Sequence, residues 1–191
     1  MTDTNTRLPG TFNRLAWSNL AAQSAEQIAL AAAPIVAVLL LGVGEAATSL
    51  LQTALTLPFV LLAIPAGLLA DRMTRRSLMA GAEGLLALAL LAILTLVITG
   101  TLTLALLALL GFIAVCGTVV YSVAAPSLVP SLVPPPMLPA ANARIELART
   151  VAFASGPAFG GVLVGWVGGA PAFGFAAMLS LIAMEIGRAH V

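Results

Sequence analysis

The sequence carries very little charge: lysine is absent, and charged residues occupy only 8% of the 191 positions. It also has one cysteine, one tyrosine and one histidine. Hydrophobic residues make up 61% of the chain, and its mean hydropathy is +1.11. A water-soluble domain of this length needs far more charge to cover its surface. The composition therefore excludes a water-soluble protein.

The shortage of reactive side chains excludes further classes of protein. The sequence has no HExxH, CxxC, GxSxG or phosphate-binding P-loop motif. The single cysteine, Cys116, lies inside an apolar run and is expected to pack as a small hydrophobe. Basic residues do not form the patch with interleaved aromatics that is typical of nucleic-acid-binding proteins. We therefore expect no enzyme activity, no cofactor, no metal site and no nucleic-acid partner.

The apolar residues come in long continuous blocks rich in Leu, Ala and Val. About 20 such residues in a helix cross the roughly 30 Å of bilayer hydrocarbon. The blocks predict an all-α polytopic membrane protein with the lipid bilayer as its main partner. The predicted spans are about 15–41, 47–69, 77–98, 102–125, 145–167 and 171–184.

The arginines fall on one side of the predicted bundle. Three connections contain no basic residue: GVGEA (42–46), TGT (99–101) and GGA (168–170). The other connections and their flanks contain Arg7, Arg14, Arg72, Arg75, Arg76, Arg144 and Arg149. Arginines near the ends of spans are retained on the cytoplasmic side. The pattern therefore predicts a cytoplasmic N-terminal segment (1–14).

The stretch 126–139, PSLVPSLVPPPMLP, contains six of the twelve prolines. Repeated proline removes helix hydrogen bonds and favours extended or turn backbone. The stretch therefore predicts a stiff cytoplasmic connector between the fourth and fifth helices. A proline motif that docks a partner is the alternative.

The last seven residues, EIGRAHV (185–191), differ in character from the rest and contain the single histidine. Written as the codons GAG ATC GGA AGA GCA CAC GTC, they resemble translated read-through of a common sequencing-adapter oligonucleotide. We expect a non-native tail on the front part of a longer protein, cut inside its sixth helix. The alternative is that these residues are native.

Polar side chains inside predicted spans are the candidate functional residues, because they are costly in lipid and usually face a cavity or a partner. Asn19, Gln23 and Glu26 follow an i, i+4, i+7 spacing and share one face of the first helix. Glu26 is the candidate proton carrier; the alternative is a neutral, static hydrogen-bonding group. Glu83 is expected to pair with a nearby arginine or to extend toward the membrane surface.

Two further groups lie in the predicted fifth helix. Glu146 and Arg149 are an i, i+3 pair that either contributes little or lies at the mouth of a cavity. The second group permits close helix packing and consists of Gly156, Pro157, Gly160 and Gly161. Whether that packing is static or slides during function stays open.

The turn GLLADRMTRR resembles the loop signature of the major facilitator superfamily, G-x-x-x-D-R-x-G-R-R/K. The matching residues are Gly67, Asp71, Arg72, Arg75 and Arg76. The Gly-Pro segment of the fifth helix is similar to that family's exporter-associated motif. The region around 126–161 is similar to the branch with siderophore and macrolide exporters. Thr74 departs from the signature glycine, and no arginine occurs between 77 and 143.

The resemblance implies a twelve-helix fold of two six-helix halves with substrate bound between them. This chain would be the N-terminal half, truncated in helix 6, and its missing partner the C-terminal six-helix half. Asp71 would lie at the cytoplasmic gate, with Arg72, Arg75 and Arg76 as the gate's charge network. The family implies an integral, multi-pass protein of the bacterial inner (plasma) membrane.

Our main hypothesis is a secondary-active exporter of small amphipathic compounds, coupled to protons and working by alternating access. Glu26 would be the coupling carboxylate, with Asn19 and Gln23 lining the cavity. The alternative is a self-associating six-helix structural or scaffold protein whose glycine stripes form dimer faces. A membrane-embedded enzyme lacks a catalytic constellation.

Overall fold

The computed structural model describes residues 9–188, apart from the side chains of Thr11, Ala63, Asp71, Arg76 and Arg188. This part of the chain is all-α and contains no strand. Its α-helices are α1 (Gly10–Leu39), α2 (Glu45–Leu61), α3 (Ala63–Arg72), α4 (Arg75–Ile98), α5 (Leu104–Leu132), α6 (Leu138–Val167) and α7 (Gly169–Arg188). A short 3-10 helix, Pro135–Met137, precedes α6. The expected all-α polytopic architecture is confirmed.

Five helices are each long and apolar enough to cross a membrane: α1, α4, α5, α6 and α7. The pair α2 and α3 makes a sixth span when taken together, with a bend of 50° between its parts. Helix α1 packs against α6 and α7, α4 packs against α5 and α7, and α2 packs against α5.

The interior of the bundle forms two main apolar layers, one toward each end. The layer near the start of α1 includes Phe12, Met79 and Val129. The layer toward the other end includes Leu90 and Phe173, together with many buried alanines. Helices in lipid gain no hydrophobic free energy from associating, so close van der Waals packing between small residues must stabilise them.

Glycines bring two helix pairs into backbone contact. A Cβ added at Gly160 of α6 would lie 2.9 Å from the carbonyl oxygen of Ile28 in α1. A Cβ at Gly117 of α5 would lie 2.6 Å from the carbonyl oxygen of Ala82 in α4. Neither position has room for a methyl group, so glycine sets both interhelical distances.

The prediction that residues 126–139 form a non-helical connector is wrong for residues 126–132. Helix α5 continues through Pro126 and Pro130 and ends at Leu132, and α6 begins at Leu138. Each proline removes one helix N–H, but the surrounding side chains remain packed, with Val129 only 1% exposed. The break comes at Val133, whose extended backbone (φ −133°, ψ 145°) is the conformation favoured before Pro134.

The predicted span 47–69 is a bent pair of helices and not one straight helix. The interruption is at Leu62, between α2 and α3. Pro65 lies three residues later and has no N–H to donate to the carbonyl of Leu61, so the hydrogen-bond ladder is broken at this point. The first span also differs from prediction, since α1 begins at Gly10 and ends at Leu39.

Replacing Gly160 with alanine is expected to destabilise the bundle, because the new methyl group would meet the Ile28 carbonyl. Overpacking of this kind costs about 1–3 kcal/mol. Thermal unfolding of the detergent-solubilised protein, followed by loss of the monodisperse size-exclusion peak, measures the effect.

Gly165 is the matched control, since it lies in the same helix and a Cβ there meets nothing within 4 Å. The Gly165→Ala variant should keep the wild-type melting temperature or exceed it slightly, because alanine favours helix. Equal melting temperatures for the two variants would contradict the close approach of α1 and α6.

Candidate functional site

A cavity of about 510 Å³ lies between α1, α2, α5 and α6. Its volume falls in the range of roughly 300–1,000 Å³ that small-molecule pockets occupy. Its lining is Asn19, Gln23, Glu26, Gln27, Leu30, Phe59, Thr118, Ser122, Ala125, Pro126, Ile145, Glu146, Arg149 and Phe153. The polar face of α1 supplies three amides and a carboxylate to this one space.

Most of the polar side chains around the cavity make no hydrogen bond to a described residue. Asn19 donates to the Ile145 carbonyl over 3.5 Å, which is a weak contact. Gln23, Glu26 and Gln27, each 7% exposed, have no side-chain hydrogen bond to a described residue. Buried polar groups without partners are costly, so these groups require water or a ligand in the cavity.

Thr118 is a lining residue that the sequence did not single out. It is 6% exposed and makes no side-chain hydrogen bond to a described residue. Thr118, Tyr121 and Ser122 follow an i, i+3, i+4 spacing along α5, which is the signal that would have identified a polar face on that helix. The cavity is therefore polar on two facing helices.

Glu26 lies at the boundary between this cavity and a dry region of the bundle. It also lines a narrow space of about 20 Å³ whose other walls are entirely apolar apart from Thr118. Arg149 and Glu83 are both within electrostatic range of its carboxylate. The side chain is thus accessible from the cavity on one side and faces hydrocarbon-like packing on the other.

Glu146 and Arg149 lie at the mouth of the cavity. Arg149 Nη1 is 3.8 Å from Glu146 Oε2, and the guanidinium carbon lies 5.3 Å from the centroid of the Phe153 ring. The two charged side chains are 54% and 65% exposed, so their ion pair contributes little to stability. Their position brings both charges to the opening of the polar space.

Three of the loop-signature residues, Gly67, Arg72 and Arg75, lie outside the cavity lining. Gly67 is half-buried in α3, and Arg72 is exposed at the end of that helix. Arg75 donates from Nη1 to the carbonyl oxygen of Ser127, which connects the start of α4 to the proline-containing end of α5. The side chains of Asp71 and Arg76 lie outside the described residues.

Thr74 occupies the position where the loop signature has glycine. Its backbone has φ −65° and ψ 129°, a conformation open to any residue. Its hydroxyl donates to Ser77 Oγ over 2.8 Å at the start of α4. The turn therefore has no conformational requirement for glycine at this position.

The Gly-Pro segment holds α6 against the polar helix α1. A Cβ at Gly156 would lie 2.5 Å from Gln27 Cβ, and Gly160 faces Ile28. Gly161 has room for a Cβ, with Ile35 Cδ1 at 3.8 Å, while Pro157 is exposed. Gly156 and Gly160 are occupied by packing within the chain and so are not free to form a dimer face.

Glu83 does not behave as the sequence suggested. The expected extension toward the membrane surface is wrong, since its side chain is 2% exposed, and none of the described arginine side chains pairs with it. Its hydrogen-bond partner is Ser180 of α7, at 2.7 Å from Oε2. Among the described residues, no three His, Cys, Asp or Glu side chains lie close enough together to hold a metal ion.

A cysteine at position 23 should react with a water-soluble maleimide, because its thiol would face a hydrated cavity. The test uses Gln23→Cys in a Cys116→Ala background, reconstituted in vesicles, with labelling read as a gel shift. Leu88→Cys is the control, since Leu88 is 68% exposed on the outside of α4 and should contact lipid alone. Labelling of position 88 but not of position 23 would contradict a hydrated cavity.

Comparison with known proteins gives a family for this arrangement. No curated protein matches the chain significantly. Residues 11–187 match the major-facilitator family described as transmembrane secretion effector. This match includes all the helices that line the cavity, and it confirms the expected major-facilitator type of membrane transporter. The chain therefore belongs to the transmembrane secretion effector family of major-facilitator proteins.

Proposed function

We propose that this chain forms part of a secondary-active exporter that moves small amphipathic compounds by alternating access and is coupled to protons. The observation that carries the proposal is the cavity of about 510 Å³, because four of its buried polar residues make no side-chain hydrogen bond to a described residue: Gln23, Glu26, Gln27 and Thr118. A purely structural bundle gains nothing from such groups, because each of them costs free energy when it is buried without a hydrogen bond. A transporter uses them to bind its substrate and to retain water.

The mixed lining of the cavity supports an amphipathic substrate. Gln23, Gln27 and Thr118 offer hydrogen bonds, whereas Phe59, Leu30 and Phe153 offer apolar and aromatic surface. A binding site of this kind orients a ligand through a few polar contacts and gains affinity from apolar burial.

Glu26 is the proposed coupling carboxylate. An ionised carboxylate is expensive in a dry membrane interior and much less so in a hydrated cavity. A cavity that alternates between hydrated and dry states therefore changes the free energy of the Glu26 charge in each cycle. We infer that Glu26 releases its proton in one state and binds one in the other, while Asn19 and Gln23 contact the substrate.

A second six-helix half is the proposed partner. Exposed residues on α2 and α6, including Phe59 and Phe153, surround the opening of the cavity. In a bilayer this opening would place three amides and a carboxylate against hydrocarbon unless another protein surface covered it. We propose that a C-terminal half provides this surface, and that Asp71, with its neighbouring arginines, contacts that half at the cytoplasmic gate.

The one-sided distribution of arginines supports the proposed orientation. Arg14, Arg72, Arg75, Arg144 and Arg149 belong to the same end of the alternating helices. Because arginine near the span ends is retained inside, we place this end and the N-terminus in the cytoplasm of a bacterial cell.

Replacing Glu26 with glutamine should separate proton coupling from substrate binding. In proteoliposomes containing this chain together with the proposed second half, wild type should accumulate amphipathic dyes when a proton gradient is applied. Glu26→Gln should keep dye exchange without a gradient and lose gradient-driven accumulation down to the level of protein-free vesicles. Glutamine preserves the size of the side chain but cannot release a proton.

Glu45→Gln is the matched control, because Glu45 is an exposed carboxylate at the start of α2 and is not part of the cavity lining. Its accumulation should stay within about twofold of wild type, since an exposed carboxylate contributes little. Normal gradient-driven accumulation by Glu26→Gln would remove Glu26 from the coupling mechanism. Absence of both exchange and accumulation in wild type would overturn transport itself, and flux through the 191-residue chain alone would overturn the need for a second half.

A further inference from the structure

A second carboxylate, Glu83, lies in the sealed interior where α1, α4, α5 and α7 meet. Its side chain is 2% exposed and is not part of the cavity lining. Ser180 Oγ lies 2.7 Å from Glu83 Oε2 and 3.0 Å from the backbone carbonyl oxygen of the same residue. One serine hydroxyl therefore contacts two oxygen atoms of Glu83.

The Ser180 hydroxyl cannot supply the proton for both of its contacts with Glu83. A hydroxyl has a single proton, and a backbone carbonyl oxygen is only an acceptor. When the Ser180 hydroxyl donates to the Glu83 carbonyl, the 2.7 Å contact with Oε2 needs a proton from the carboxyl group. A protonated Glu83 provides it and donates to Ser180 Oγ, so both contacts become full hydrogen bonds.

The surroundings of Glu83 also favour the protonated form of its carboxyl group. No described cation pairs with it, because Arg75 contacts Ser127 and the ion pair among the described side chains joins Arg149 to Glu146. The ionisable groups that face it are Glu26 on α1 and Tyr121 on α5, both within electrostatic range. A buried carboxylate with one hydroxyl partner and no cation is strongly destabilised when ionised.

Tyr121 adds an independent observation. Its hydroxyl is buried, with the residue 2% exposed, and finds no hydrogen-bond partner by distance among the described residues, although Ser18 lies nearby. Glu83 is within electrostatic range of this hydroxyl. Tyr121 is thus an unused O–H donor near the carboxyl group, available when Glu83 loses its proton.

We propose that Glu83 is a second proton-binding site, which holds a proton in the state described here and exchanges it with Glu26 during the transport cycle. In the exchange the O–H bond at Glu83 Oε2 breaks and one forms at the ionised Glu26 carboxylate, so the charge moves from the cavity wall to the core. The protonation of Glu83 is inferred from the contacts between Glu83 and Ser180 and from the surroundings of Glu83. The proton exchange also rests on the proposed coupling role of Glu26.

Infrared spectroscopy of the reconstituted protein tests the protonation directly. At neutral pH, wild type should show a carbonyl-stretch band of a protonated carboxylic acid that shifts in D₂O and is absent from Glu83→Gln. Ser180→Ala should move this band to higher frequency, because the hydrogen bond from the carboxyl group to Ser180 Oγ is lost. Absence of the band from wild type would show that Glu83 is ionised and would overturn the proposal even if the variants failed to fold.

Transport assays test the exchange. Glu83→Gln should retain dye exchange without a gradient and lose part of its proton-driven accumulation. Wild-type accumulation and pH dependence in Glu83→Gln would overturn the exchange and leave a purely structural protonated group. The infrared bands are read without any substrate, so a failure of the proposed transport function is distinguishable from a failure at Glu83.

Discussion

The backbone contact between α1 and α6 is the constraint on which the rest of the structure depends. Gly156 and Gly160 present no side chain, so α1 lies against α6 at Gln27 and Ile28. Lipid gives helices no hydrophobic reason to associate, and small residues are what permit such close packing. With this face of α1 held against α6, its polar side chains point into the space beside it, between α5 and α6. The cavity is thus a consequence of where the glycines are.

The two buried glutamates occupy environments that differ in one essential respect. Glu26 has no hydrogen-bond partner among the described residues but lines a space large enough for water. Glu83 has no such space, and Ser180 is its one hydrogen-bond partner among them. One carboxyl group is therefore stabilised by what enters the cavity, and the other by fixed contacts in the core. Two buried acidic groups in the same bundle therefore acquire different chemistry from the groups and the space around them.

The all-α polytopic fold could be predicted because bilayer thickness sets the length of an apolar block, and that length can be counted in the sequence. The prediction from sequence failed at 126–132. Proline locally disfavours helix there, but the packing of α5 against its neighbours keeps this segment helical. The prediction also failed at Glu83, which was expected to extend toward the membrane surface but is 2% exposed. Its actual partner, Ser180, is 97 residues away, and such a pairing depends on the packing of α4 against α7. The polar face of α1 could be predicted because it depends only on the spacing of residues within a single helix.

The charged turn and the cavity are connected through one end of one helix. Arg75 at the start of α4 binds the carbonyl of Ser127, and the preceding residue, Pro126, lines the cavity. Pro126 and Pro130 each leave a turn of α5 without one backbone hydrogen bond, so this end of the helix resists bending less than an unbroken helix does. The Arg75 contact therefore joins the loop-signature turn to the end of α5 that lines the proposed substrate site.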